Sequence, residues 1–136
     1  MSMATLELQK AIRDALKADP GLLSLLGAAS IFDDVPPGIP FPYVTFGRST
    51  AYDWSTDTDS GREHLVTVHI WSRTGGKKET LAIMEAVERV LSTANLAMPG
   101  NRLVNFALQY EEARYEEQND GYHGILRYRA VTEPLG

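Results

Sequence analysis

Cysteine is absent from this chain of 136 residues, so disulfides and thiolate-bound metals are excluded, and nothing in it calls for an oxidising compartment. No window approaches the roughly 18 consecutive apolar residues needed to cross a bilayer, and no membrane span is expected. A basic surplus is missing too. Thirteen Lys and Arg stand against 18 Asp and Glu, and the net charge of −5 disfavours tight nucleic-acid binding, which draws on surplus cations. DNA passing nearby without sticking stays compatible with that charge. The first ten residues have neither the basic start nor the apolar core of a secretory signal, so synthesis in the cytoplasm is expected.

What is present is ordinary for a folded protein: 43% apolar and 23% charged residues, in a length that suits one domain spanning 1–136. A first helix is predicted over Ala4 to Ala18, with Leu8, Ile12, Ala15 and Leu16 on one stripe. Asp19-Pro20-Gly21 ends it and opens a short second turn, Asp19 as N-cap and Pro20 in the first helical position. Leu22, Leu23, Leu25 and Leu26 are expected to bury that turn. Four prolines and two aspartates make Ile31 to Pro42 extended and irregular.

Tyr43 to Gly47 reads as the first strand, Val44 and Phe46 facing one way and Tyr43 and Thr45 the other. Pro40 and Pro42 cannot donate to a ladder, which places this strand at the sheet's edge, with no ladder completed there within the monomer. Arg48 to Glu63 then reads as a long polar loop, flexible until assembled. His64 to Trp71 alternates: Val66, Val68 and Ile70 against Leu65, Thr67, His69 and Trp71. A second long helix is predicted from about Lys77 to Ser92, with Ile83, Met84, Val87, Val90 and Leu91 as its buried stripe. Leu103 to Tyr110 follows as a strand with Val104, Phe106, Leu108 and Tyr110 on one face. Glu111 to Gly121 reads as a solvated acidic connection, and Tyr122 to Thr132 as the last strand.

The expected fold is therefore α+β, in the order α-β-β-α-β-β. Two main helices pack on one face of a four-stranded sheet, antiparallel or mixed. The face turned away from them would carry Tyr43, Leu65, His69, Trp71, Ile125 and Val131 beside Thr45, Thr67, Arg127 and Arg129. It is too apolar for a solvated face and too polar for a second core, a composition that suits subunit contacts.

Catalytic patterns are sparse. His64 and His69 lie five apart on a strand and point to opposite faces, which is wrong for joint metal ligation. His123 stands alone beside glycines, and all three read as surface or interface histidines. The loop acids Asp53, Asp57, Asp59 and Glu63 resemble the start of an EF-hand, but the glycine required at position six is replaced by Arg62. Thr74-Gly75-Gly76-Lys77-Lys78 lacks the phosphate-loop frame, and Glu79 stands where Ser or Thr would bind magnesium. No serine sits in a nucleophile elbow. Neither an enzyme nor a cofactor is expected. The competing readings are a ferredoxin-like small-ligand or regulatory binding domain using the exposed sheet face, and a hydrolase whose acidic loop holds a metal.

The helix-first start, the Phe41-Pro42-Tyr43-Val44 opening, the strand closing in Trp71-Ser72-Arg73 and the Gly-Gly-led helix resemble the tail-completion proteins of long-tailed phages. Tyr110 to Tyr115, leading through Asp120-Gly121 to a final strand, fits as well. The resemblance covers roughly residues 4–132 and extends to tail terminators of phage-derived gene transfer agents. It implies a non-enzymatic ring, commonly six copies, that caps the tail-tube protein and joins a head-side stopper or connector. DNA would pass through its channel without specific binding. The particle, virion or gene transfer agent, would be assembled in the bacterial cytoplasm. No catalytic residue carries over. The surface expected to meet neighbours comprises Tyr43, Thr45, Asp53, Trp54, Asp57, Asp59, Leu65, His69, Trp71, Arg127 and Arg129.

Overall fold

The helical stripes form as their periodicity predicts. In the computed structural model, which describes residues 3–53, 55, 60–73 and 76–135, helix α1 spans Met3–Lys17 and fully buries Leu8, Ile12 and Leu16. Helix α2, Pro20–Leu26, starts as expected: Asp19 Oδ2 accepts the Leu22 N–H at 2.9 Å, satisfying one orphan donor of the first turn. Leu22 and Leu26 are buried, whereas Leu25 is exposed, because a helix of two turns presents only one side to the core. Helix α3, Gly76–Thr93, buries Ile83, Met84, Val87, Val90 and Leu91. Arg89 reaches back from α3 to Asp19 at 2.9 Å and ties the two helices together.

Among the described residues the sheet has five strands and is mixed, a correction to the expected four. Strands β1 (Ile31–Phe32), β2 (Tyr43–Asp53), β3 (Arg62–Ser72), β4 (Asn101–Glu116) and β5 (Gly121–Pro134) lie in the order β1-β2-β3-β5-β4. The short β1 pairs parallel with β2, Ile31 opposite Val44, and the Val44 N–H donates to the Ser30 carbonyl at 2.9 Å. The expectation that the proline-led strand lacks a partner on its outer side is therefore wrong over Val44 and Thr45. Neither residue is a proline, so both keep the donors a ladder needs.

Two segments expected as loops are strand over most of their described residues. After a bulge at Gly47–Arg48, β2 runs on to Asp53, its residues 49–53 pairing with Arg62 to Val66. Their polar side chains hide a strand whose backbone is fully paired on that side. Likewise Glu111 to Glu116 continue β4 against Gly121 to Leu126. Carboxylates are tolerated there because β4 is an edge strand and Arg114 bridges Glu112 and Glu116.

The core lies between the helices and one sheet face, where Val44, Val66, Val68, Ile70, Leu126, Tyr128 and Ala130 are buried. Gly124 lets α3 approach, since a Cβ there would meet Met84 Sδ at 2.7 Å. On β4 the expected common face breaks. Bulges at Val104 and Gln109 leave Val104 exposed and turn Tyr110 away from the helices, while Phe106 and Leu108 stay with the core.

Candidate assembly interface

Strand register sorts the open face of the sheet into rows. Tyr43, Trp71, His123 and Arg114 form the first row across β2, β3, β5 and β4; Thr45, His69, Ile125 and Glu112 form the second. Thr67, Arg127 and Tyr110 come next, followed by Thr50, Leu65, Arg129 and Ala107. Every residue assigned to this face from alternation alone lies on it. The final row, Tyr52, Glu63, Val131 and Asn105, completes the surface.

The first two rows are joined into a network. Trp71 stacks on His123 with centroids 3.9 Å apart and planes 9° from parallel, and Tyr43 stacks on Trp71 at 6.5 Å. The Trp71 indole N–H donates to Thr45 Oγ1 at 2.9 Å. His69 Nδ1 and His123 Nε2 are 2.6 Å apart, and His123 Nδ1 lies 2.5 Å from Glu116 Oε1. One proton occupies the link between the two rings; a second would place two N–H groups face to face. Burial, then the neighbouring His123 and Arg127, holds His69 below the usual histidine range. Burial alone would raise Glu116, but hydrogen bonds from His123 and Arg114 outweigh it and leave the carboxyl below its usual range.

These contacts correct the histidine reading. His123 is buried and bonded to His69, a pairing invisible when the two stand 54 residues apart. His64 does face the opposite side from His69, but it is fully buried, its Nε2 within 2.9 Å of Thr132 Oγ1. Among the described residues no group of three or more His, Asp or Glu is placed to hold a metal ion.

Of the residues expected at a neighbour contact, Tyr43, Thr45, Leu65, His69, Trp71, Arg127 and Arg129 come together on this face. Asp53 does not join them: opposite Arg62 at the end of β2, it has the parity of the helix-covered side, and its Oδ1 accepts the Ser55 N–H at 3.1 Å. Trp54, Asp57 and Asp59 lie outside the described residues. Sequence reasoning missed Tyr110, Glu112 and Arg114 on this surface, since the Gln109 bulge that turns them here leaves no mark in the residue pattern. It also missed the uneven pairing of charge. Arg129 binds Glu63 at 2.6 Å and Arg114 binds two carboxylates, whereas Arg127 lies over the Tyr110 ring at 5.2 Å, a cation–π contact.

A layer of helices on one side of a sheet and an open face of rings and ion pairs on the other defines an α+β structural subunit, and comparison with known proteins gives the same class. The model of the family Tail completion protein gp17 matches residues 10–133, and the chain belongs to that family. It is a structural, tail-completing component of a phage-type particle. A chain in the virion of a native gene transfer agent particle is 31% identical, with a TM-score of 0.87 over 97% of this chain and 99% of that one. The gp17 protein of bacteriophage SPP1 shares the fold at 19% identity and a TM-score of 0.63, over 99% of this chain and 93% of that one. No curated protein sequence matches the chain.

Proposed function

We propose that the protein is a tail terminator. Copies of it, six by family resemblance, close into a ring at the head-tail junction. One side of the ring meets the last turn of the tail-tube protein and the other meets the head-side stopper or connector. The role is geometric and involves no catalysis.

The observation that carries this reading is the open sheet face. Tyr43, Trp71, Leu65 and Tyr110 lie on it among arginines and carboxylates, and the helices of the described residues pack on the opposite side. Rings, arginines and depleted lysine are the composition of contact surfaces, and a surface that differs from its partner surface generates rings when the rotation closes. The charge fits as well. Six copies carry about −30, which repels a DNA backbone and lets it slide through a channel.

The test is assembly. Sedimentation velocity and electron microscopy of the wild-type protein, alone and with tail tubes, are expected to show closed rings. Trp71→Ala is expected to remain folded while ring formation and particle tailing fail. A strict monomer at high concentration together with normal particles from Trp71→Ala would overturn the reading.

A further inference from the structure

On the open face, next to the stacked rings, lies a shallow depression of about 300 Å³ bordered by Arg48, Thr50, Tyr52, Leu65, Thr67 and Arg127. Its charge is of one sign. Both arginines are exposed, and neither forms an ion pair with any described residue, although the chain as a whole is acidic. Thr50 Oγ1, shielded from solvent in its lining, has no hydrogen-bond partner among the described residues. Tyr52, 53% exposed, borders it, and Tyr110, 43% exposed, lies under the Arg127 guanidinium. Two guanidinium groups with no carboxylate partner among the described residues, each beside a tyrosine, suit a partner bearing paired carboxylates.

The chain itself carries such a partner surface, too far along the same sheet to reach its own depression. The turn between β4 and β5, Glu117 to Asp120, is exposed and braced by hydrogen bonds. Arg73 donates to the Asn119 carbonyl at 2.8 Å and to the Asp120 carbonyl at 3.2 Å, and Tyr115 Oη donates to Asp120 Oδ1 at 2.9 Å. Glu117 forms no ion pair among the described residues, and the half-exposed Tyr115 stands beside it. An acidic tip already braced by hydrogen bonds has less to order on binding.

We propose that the Arg48–Arg127 depression of one copy receives the Glu117–Asp120 turn of the next copy. The occupant is a second copy of this chain, chosen by charge complementarity, and the contact is head-to-tail. It joins two different patches, so it propagates around a ring without pairing a patch with itself. This inference rests on the ring reading above and names the contact that closes the ring.

Charge reversal tests it. Arg48→Glu with Arg127→Glu is expected to weaken self-association at least about tenfold, and Glu117→Arg with Asp120→Arg to do the same. All four sites are exposed, and circular dichroism checks that each variant is folded; Arg48→Gln with Arg127→Gln gives a milder probe of the same contact. The decisive step is mixing the two reversed proteins. Each alone sets like charges together, whereas the mixture restores attraction at every contact and is expected to form rings of alternating copies. Rings in wild type that survive both reversals, or a mixture that fails to recover, would overturn this contact and leave the ring reading standing. A monomeric wild type would overturn both. Unchanged assembly with loss of duplex-DNA retention in the Arg48→Glu, Arg127→Glu variant would assign the depression to phosphates and also overturn it.

Discussion

The two faces of the sheet are made by alternate residues of the same strands, yet they obey different rules. Toward the helices stand Val66, Val68, Ile70, Leu126 and Ala130, apolar and almost without exposure. Away from them stand Trp71, His69, Arg127 and Arg129, where rings stack and charges pair at a partly exposed surface. The first face holds the subunit together by removing apolar area from water. The second spends its side chains on specific geometry, and so leaves surface that another chain can cover. Substitutions on the two faces should therefore separate folding from assembly.

The largest effect is expected on the covered face. Ile70→Ala, at a fully buried position, removes both transfer energy and packing and should cost about 2–5 kcal/mol in chemical denaturation, with assembly lost only through unfolding. Gly124→Val tests the spacing between layers. The new side chain meets Met84 Sδ and Thr80 Cγ2, and the expected loss is about 1–3 kcal/mol, visible as a lower melting temperature. Crossing to the open face reverses the ranking of readouts. Trp71→Ala should cost stability about 0.5–1.5 kcal/mol for the stacking on His123, besides its own buried area, while ring formation fails outright.

The smallest expected effect is a pH dependence to which each face contributes one histidine. His64, by burial and then the neighbouring Arg62, and His69, by burial and then His123 and Arg127, are both held below the ordinary value of 6.5. Above that value both are neutral whether folded or unfolded, and neither affects stability. As pH falls below it, the unfolded chain takes up protons that the folded chain refuses, so stability declines toward the folded values. Denaturation midpoints measured between about pH 5 and 8 should show this acid decline, and His69→Gln should flatten part of it. An unchanged acid slope in that variant would mean that His64 alone carries the effect.

Much of this was legible in the residues. Helical stripes named the buried side of α1 and α3, Asp19-Pro20 announced the start of α2, and the alternation of His64 to Trp71 assigned both faces of β3 correctly. Those signals are local, repeating within a few residues. The strands that escaped notice were polar. Ser49 to Asp53 and Glu111 to Glu116 carry no apolar alternation, and their extended form depends on a neighbouring strand to accept their hydrogen bonds. β1 escaped for a related reason: two residues among prolines become a strand only because Val44 lies alongside.

The candidate interface divides the same way. Alternation alone placed Tyr43, Thr45, Leu65, His69, Trp71, Arg127 and Arg129 together, because period two needs no partner to be read. Which of them touch was settled by register: His69 with His123, Arg129 with Glu63, and Arg127 with Tyr110 by way of a bulge at Gln109. Composition, helical stripes and strand faces were thus determined by the chain's own order, since each depends on neighbours a few bonds away. The fifth strand, the bonding of His69 to the buried His123, and the two arginines left without carboxylates among the described residues were decided only in three dimensions. Each depends on which distant residues the sheet sets side by side.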